Sequence, residues 1–140
     1  MASQRNGSAS VERNQPIRVL VVDDEPVVLE ATSRMLTDAG YAVSTAPSAR
    51  AALQLLELGL PTVHVVLTDV VMPETDGRTL GRLIGERYPA LPVLYMSAYP
   101  ENDVLHRGAP SPGLPFLAKP FSLESLTAAI QSLLDKAVSH

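Results

Sequence analysis

Short, nearly continuous apolar segments alternate with longer segments of helical spacing from residue 17 onward. The short segments are rich in β-branched residues, which is typical of strands buried on both faces of a parallel sheet. The pattern predicts five strands, of which the second is the weakest: Ile17–Val22, Ala42–Ala46, Val63–Thr68, Pro92–Met96 and Pro115–Ala118.

The segments between the strands predict helices with recognisable ends. Ser48 is a favourable N-cap for one of these helices, and Gly59 is a favourable stop. Another contains Gly81 and Gly85, which either weaken a helix or permit close packing. The predicted helices are Pro26–Ala39, Ala49–Leu58, Thr79–Tyr88 and a last one that follows Ser122.

The last two elements complete the predicted architecture. Between Pro100 and Gly113, repeated prolines allow only a short or irregular fourth helix, near Glu101–Arg107. The final helix carries one apolar stripe that we expect to face the core, made of Leu123, Leu126, Ile130, Leu133, Leu134 and Ala137. Strands that alternate with helices predict one doubly wound α/β domain over residues 17–138, with right-handed crossovers.

Composition narrows the class of protein. Of 140 residues, 46% are hydrophobic, which is enough for a core, whereas residues 1–16 are polar and predict a flexible tail or linker. The absence of cysteine excludes disulfide scaffolds and thiolate zinc sites. A net charge of −4 argues against direct binding of nucleic acid. No segment resembles a membrane span or a signal peptide, so we expect a cytoplasmic domain without membrane insertion.

Polar side chains follow four of the five predicted strands. Asp23 and Asp24 come after the first strand, Asp69 after the third, Ser97 after the fourth and Lys119 after the fifth. In an open α/β sheet, ligands bind outside the carboxyl ends of the strands. These side chains are therefore predicted to meet at one edge.

Simpler interpretations exist for each residue taken singly. Asp23 and Asp24 could cap the first helix, Ser97 could be only a strand-end hydroxyl, and Asp69 could begin a turn toward Pro73, Asp76 and Gly77. Three histidines, His64, His106 and His140, have no metal-ligand or phosphotransfer context. If the simpler interpretations held, the polar groups that follow the strands would all have to reach the same edge by chance. Their common position therefore favours a functional site.

The chemistry of such a site follows from its charges. Carboxylates crowded together either take up protons or gather a cation. Oxygen ligands that are few in number suit Mg²⁺ better than Ca²⁺. Beside such an ion Asp69 could act as a nucleophile toward a phosphoryl group, and Lys119 and Ser97 could hold the phosphoryl oxygens.

Four ordered motifs resemble the receiver domain of two-component response regulators, over about Ile17 to Val138. They are VVDDEP (Val21 to Pro26), TDVVMPETDG (Thr68 to Gly77), MSAY (Met96 to Tyr99) and FLAKPF (Phe116 to Phe121). The resemblance implies a flavodoxin-like (βα)5 sheet of strand order 2-1-3-4-5. The predicted short, proline-broken fourth helix is similar to that of receivers at the C-terminal end of hybrid sensor histidine kinases. We therefore expect a kinase-attached or stand-alone receiver rather than a transcription factor with its DNA-binding half.

The resemblance also implies roles for individual residues. Asp69 matches the phosphoacceptor. Asp24, Asp69 and the backbone carbonyl of Val71 match direct Mg²⁺ ligands, and Asp23 matches a ligand that acts through water. Ser97 and Lys119 match the switch hydroxyl and the phosphate-binding lysine, and Phe116 matches the switch aromatic. Val71 and Tyr99 occupy the positions that flank the path of the hydrolytic water, where they are expected to tune the lifetime of the phosphorylated form.

The function expected from this resemblance is a phosphoacceptor in a phosphorelay rather than an enzyme. The implied partner is a histidine kinase or a histidine phosphotransfer protein, and a homodimer is left open. Two alternatives remain. One is an aspartate-nucleophile phosphohydrolase on a similar sheet, although Asp23-Asp24-Glu25 lacks the Asp-x-Asp pattern of those enzymes. The other is a degenerate receiver that serves only as a binding module.

Overall fold

The strands of the sheet are all parallel and follow the order β2-β1-β3-β4-β5, as predicted. The computed structural model describes residues 16–59, 61–72, 76–97 and 116–139. Its strands are β1 (Arg18–Val22), β2 (Ala42–Ala46), β3 (Val65–Asp69), β4 (Val93–Ser97) and β5 (Phe116–Ala118). Residues 1–15 of the predicted tail and the predicted fourth helix near Glu101–Arg107 lie outside the described residues.

The third and fourth strands lie slightly later in the chain than predicted. The sequence placed them at Val63–Thr68 and Pro92–Met96, so that Asp69 and Ser97 would follow them. In the structure Asp69 and Ser97 are instead the last residues of β3 and β4. Their backbones are therefore fixed by the sheet, because Asp69 pairs in register with Met96 and Ser97 with Ala118.

Four helices flank the strands in the described part of the chain: α1 (Pro26–Asp38), α2 (Ala49–Leu58), α3 (Gly77–Arg87) and α4 (Leu123–Ser139). The bounds of α2 were predicted to the residue. The Ser48 hydroxyl accepts a hydrogen bond from the Ala51 N–H, and Gly59 adopts a left-handed conformation with φ of 75°. None of the described helices is both long and apolar enough to cross a membrane.

Each face of the sheet has its own apolar core. On one face, alternate residues of the central strands, such as Val21 and Leu67, pack with α1 and α4. On the other face, the intervening residues, such as Leu20 and Val66, pack with α2 and α3. The α4 stripe is core at Leu126, Ile130 and Leu133, as expected, whereas Leu123 is 41% exposed, contrary to expectation, because it begins the helix. The two covered faces leave the strand ends as the place where polar side chains can gather.

The third helix begins two residues earlier than the predicted Thr79. Asp76, which the sequence interpretation treated as a turn residue, is its N-cap, and the Asp76 carboxylate accepts a hydrogen bond from the Thr79 N–H at 2.9 Å. Gly77 is then the first residue of α3. Asp is among the best N-cap residues, so the signal was present in the sequence. A glycine directly after the cap obscured it, since glycine is a poor helix former.

Candidate functional site

Polar side chains from four elements meet at the carboxyl edge of the sheet. Asp23 directly follows β1 and is fully buried, while Asp69 and Ser97 end β3 and β4 and are 8% and 2% exposed. Lys119 directly follows β5, and its backbone N–H donates to the carbonyl of Ser97 at 2.8 Å. The edge is thus assembled by parallel strand pairing, as the sequence pattern predicted.

Three carboxylates form the centre of this edge. One oxygen each from Asp23, Asp24 and Asp69 lies within 4.8 Å of the other two. Asp23 and Asp69 are buried, whereas Asp24 is exposed. The cluster is therefore open to solvent on the side of Asp24, so an ion could enter it there.

Asp23 and Asp24 do not cap the first helix, so that alternative is wrong. The N-cap of α1 is Glu25, which makes no side-chain capping hydrogen bond. The Asp23 carboxylate accepts a hydrogen bond from the Glu25 N–H at 3.0 Å, and the Asp23 N–H donates to the carbonyl of Ala46 at 3.2 Å. These two bonds hold Asp23 between the ends of β1 and β2.

Lys119 supplies positive charge to the cluster. Its Nζ lies 3.0 Å from Asp23 Oδ2 and 3.5 Å from Asp69 Oδ2, and its side chain is 15% exposed. Burial alone would lower the pKa of Lys119. The hydrogen bond to Asp23 and the charges of Asp69 and Asp23 outweigh burial and raise that pKa, so Lys119 is an ammonium at neutral pH.

The surroundings of Asp69 do not fully offset the cost of burying its negative charge. Burial is the main cause that raises its pKa from 3.8 to about 6, and the charge of Asp23 adds to it. Lys119 and the backbone N–H of Val71 act in the opposite direction without cancelling the effect. Near neutral pH the group is mostly ionised, at a free-energy cost that a further positive charge would relieve.

This donor set fits a hard divalent cation. Lys119 pairs with Asp23 and Asp69, and Asp24 adds a third acidic group, so the described part of the cluster has more acidic than basic groups. Its ligand atoms are all oxygen, which favours Mg²⁺, Ca²⁺ or Mn²⁺ over softer metals. Among the described residues three carboxylates lie close together, so most of the coordination shell would be water or backbone oxygen, as is usual for Mg²⁺.

The remaining predicted site residues are placed only in part. Val71, two residues after Asp69, is 40% exposed beside the cluster. Phe116 is the first residue of β5 and pairs in register with Tyr95 of β4. Tyr99 lies outside the described residues, so its predicted effect on lifetime stays a prediction.

His64 has a structural role that the sequence did not indicate. It lies just before β3 rather than within a strand. The His64 Nδ1 accepts a hydrogen bond from the backbone N–H of Arg18 at 2.9 Å, and the backbone N–H of His64 donates to the Arg18 carbonyl at 2.9 Å. The imidazole thus continues the pairing of β1 and β3 by one side-chain bond, at the end of the strands opposite the carboxylates.

Comparison with known proteins gives one consistent answer. A family model described as the response regulator receiver domain matches residues 19–131. The sensor kinase CckA of Brucella abortus is 35% identical over 136 residues, which cover 96% of this chain and 14% of the kinase. Response regulator MprA of Mycolicibacterium vanbaalenii is 36% identical over 119 residues, which cover 85% of this chain and 51% of MprA. The chain thus spans about half or less of these relatives.

A solved structure agrees with these sequence matches. The response regulator protein TrrA from Thermotoga maritima, crystallised in complex with Mg²⁺-BeF, superposes with a TM-score of 0.72 at 26% identity. The match covers 84% of this chain and 99% of TrrA.

Proposed function

This chain belongs to the response regulator receiver domain family, and on that premise we propose that it accepts a phosphoryl group on Asp69 and signals by a change of conformation. The donor is the phosphohistidine of a histidine kinase or of a histidine phosphotransfer protein. The receiver comprises residues 17–138, works with Mg²⁺ in the cytoplasm, and does not turn over a substrate. Its similarity to CckA over 96% of the chain supports a place in a hybrid histidine kinase.

One observation carries this proposal. The Lys119 ammonium lies within 3.5 Å of a carboxylate oxygen of Asp69 and 3.0 Å from Asp23, at an edge that is open on the side of Asp24. An isolated structural ion pair would not need two further carboxylates, one of which is exposed. An acceptor of a multiply charged phosphoryl group needs a nucleophile, a fixed cation and a place for a second cation.

The chain's own residues account for the transfer step. A carboxylate oxygen of Asp69 attacks phosphorus, so that an O–P bond forms while the N–P bond of the donor phosphohistidine breaks. The imidazole leaves with the electron pair and takes a proton from solvent. Lys119 offsets negative charge on the phosphoryl oxygens, and the hydroxyl of Ser97 lies at the end of the neighbouring strand to hydrogen-bond one of them.

Mg²⁺ would be held by Asp24, Asp69 and the Val71 carbonyl, with Asp23 acting through water. When bound, the ion neutralises the charge that otherwise separates the phosphoryl group from the carboxylates. Asp69 then keeps its ionised form despite its burial, because a cation beside a carboxylate favours the charged state.

The surface beside Lys119 supports a protein rather than a small molecule as the donor. A cavity of about 550 Å³ opens there, lined by Val27, Val28, Ala31, Thr32, Lys119, Pro120 and Phe121. Val27 is 79% exposed. Apolar side chains next to a charged reaction centre are typical of a surface that a partner covers, and a donor protein must cover this rim to reach Asp69.

The phosphohydrolase alternative has less support. Such enzymes resemble one another in an Asp-x-Asp pattern after the first strand, and Asp23-Asp24-Glu25 does not match it. The degenerate-receiver alternative would require the loss of a group that binds or accepts phosphate. Asp23, Asp24, Asp69, Ser97 and Lys119 are all present.

The three functions differ in one assay with Mg²⁺ and a small acyl phosphate donor. A receiver is expected to gain a single phosphoryl group by intact mass, and Asp69→Asn is expected to gain none. Release of phosphate over many turnovers would favour the hydrolase. An unchanged mass in the wild-type protein would favour the binding module and contradict the proposal.

Binding of Mg²⁺ provides a prediction that does not depend on phosphorylation. We expect Asp24→Ala to weaken Mg²⁺ binding by roughly tenfold or more, since even groups that only orient a metal ligand contribute that much. Isothermal titration calorimetry measures the effect. Asp38→Ala, which removes an exposed carboxylate at the end of α1, is the matched control and should bind as the wild-type protein does. Equal affinities in the two variants would contradict the assignment of Asp24.

A further inference from the structure

Two glycines of α3 lie four residues apart and face the sheet. Gly77 lies directly against the backbone carbonyl of Asp69, so that a Cβ at residue 77 would collide with the carbonyl oxygen. Gly81 lies against the hydroxyl of Tyr95, which occupies the place where a Cβ at residue 81 would be. Because residues i and i+4 share one face of a helix, α3 rests on β3 and β4 through these two contacts.

Tyr95 belongs to a row of side chains that crosses the sheet just below the functional edge. Thr68, Tyr95 and Phe116 are paired in register on β3, β4 and β5. Side chains alternate along a strand, and Val66, Val93 and Leu117 fix which face each strand presents. All three members of the row therefore point to the α2–α3 side of the sheet.

Each strand of this row also carries one group of the proposed phosphorylation site. Thr68 directly precedes Asp69, and its hydroxyl donates to the Asp69 carbonyl at 3.0 Å. Tyr95 is two residues before Ser97, and Phe116 is three before Lys119. A shift of Ser97 or Lys119 toward a phosphoryl group on Asp69 would change the spacing of β4 and β5, and Tyr95 lies between β3 and Phe116.

Tyr95 cannot absorb such a shift easily. It is only 5% exposed, and its hydroxyl meets the backbone of α3 at Gly81 rather than a side chain that could change rotamer. Close-packed interiors transmit displacements instead of damping them. The pKa of the Tyr95 hydroxyl is raised mainly by burial and also by the negative charge of Asp76. Asp76 is the N-cap of α3 and Gly81 lies in its second turn, so Tyr95 interacts with the first turns of α3 through both residues.

We propose that Tyr95 and Gly81 couple the phosphorylation site to α3, so that this helix shifts when Asp69 is phosphorylated. The inference rests on the proposed function of Asp69 and adds the route by which the signal leaves the site. Helix α3 is then an output element of this receiver.

Amide chemical shifts before and after addition of Mg²⁺ and beryllofluoride, a mimic of the phosphoryl group, test the coupling. The Val70 amide reports on the site, and the amides of residues 80–84 report on α3. In the wild-type protein both groups are expected to shift. Tyr95→Leu is expected to keep the Val70 shift and lose the shift of residues 80–84, and Tyr95→Phe is expected to reduce the latter.

Two glycine variants provide a matched pair. Gly81→Ala and Gly85→Ala add the same methyl group to the same helix, but nothing lies within 4 Å of a Cβ at Gly85. Gly81→Ala is expected to displace Tyr95, move the α3 signals before the mimic is added and weaken their further response. Gly85→Ala is expected to respond as the wild-type protein does.

The outcomes separate this inference from the proposed function. If Val70 does not shift and no phosphoryl group is gained, the proposed function of Asp69 fails. If Val70 shifts while residues 80–84 stay unchanged in the wild-type protein, or respond equally in the folded Tyr95 variants, only the coupling is overturned. Should Tyr95→Leu fail to fold, Tyr95→Phe, which removes only the oxygen in contact with Gly81, decides the question.

Discussion

At the scale of single residues, Asp69 is a carboxyl whose ionised form the fold disfavours. It ends a buried strand, and burial raises its pKa to about 6. The folded protein therefore holds the proton of Asp69 more tightly than the unfolded chain does. Stability attributable to this group is greatest below pH 3.8 and is lost as the pH rises through about 6.

Replacement of this carboxyl should therefore stabilise the protein in the absence of metal. In a chelating buffer at pH 7, we expect Asp69→Asn to raise the free energy of unfolding by about 1–3 kcal/mol, because the amide needs no charge in a buried place. Lys119 keeps Asp23 as its partner at 3.0 Å. Urea unfolding at several pH values measures the gain, which should vanish near the ordinary carboxyl pKa of 3.8. A loss of stability at pH 7 would count against the account of Asp69.

Val71 and Tyr99 are expected to govern how long a phosphoryl group on Asp69 would survive. Hydrolysis needs a water in line behind phosphorus, and apolar Val71 cannot orient one. We expect the phosphorylated protein to decay slowly, and Val71→Asn with Tyr99→Glu to decay severalfold faster. Timed dephosphorylation in excess Mg²⁺ measures both rates, and Val71→Ala serves as the control without a polar group. Equal or slower decay in the double variant would contradict this role.

At the scale of elements, α3 is positioned by contacts that local sequence rules do not contain. Gly77 opens the helix where its N–H donates to the Val70 carbonyl at 2.8 Å and its Cα lies on the Asp69 carbonyl. The helix start is thus fixed against the end of β3, where Asp69 lies. A side chain at this position would push the two apart.

Gly77 and Gly85 of α3 should therefore differ in how much an added methyl group changes the stability of the fold. We expect Gly77→Ala to destabilise the fold by about 1–3 kcal/mol, as overpacking of backbone against backbone does. Gly85 is exposed and has open space around it, so Gly85→Ala should stabilise the helix by about 0.5–1 kcal/mol through helix propensity. Thermal unfolding of both variants measures the difference. Similar effects of the two substitutions would argue that Gly77 is not held against Asp69.

The two helices α2 and α3 show what sequence could and could not predict. Both ends of α2 were predicted to the residue because Ser48 and Gly59 act locally. The start of α3 was missed because Gly77 is required by a contact with Asp69, eight residues earlier. The ends of β3 and β4 were likewise one or two residues off, since pairing with neighbouring strands decides them, whereas both ends of β2 were predicted to the residue. The meeting of Asp23, Asp69 and Lys119 at one edge was predicted correctly, because residue type and strand order suffice for it. Their functional roles stay predictions.

At the scale of the whole molecule, the apolar cores lie on the two faces of the sheet and the charged cluster lies at its carboxyl edge. Apolar cores on both faces hold the strands rigidly, and the carboxyl edge gathers charge from elements that are distant in the chain. Lys119 meets Asp23 across 96 positions of sequence. Because packed interiors transmit strain rather than absorb it, we expect a charge change at this edge to displace the elements packed against it.

The central claim is that Asp69 itself carries the phosphoryl group, and trapping the product tests it most directly. Borohydride reduces an aspartyl phosphate to homoserine, which mass spectrometry locates in the peptide sequence. After incubation with Mg²⁺ and an acyl phosphate, we expect homoserine at position 69 and at no other aspartate. Homoserine at Asp23 or Asp24, or a gain of phosphoryl mass without any homoserine, would contradict the account.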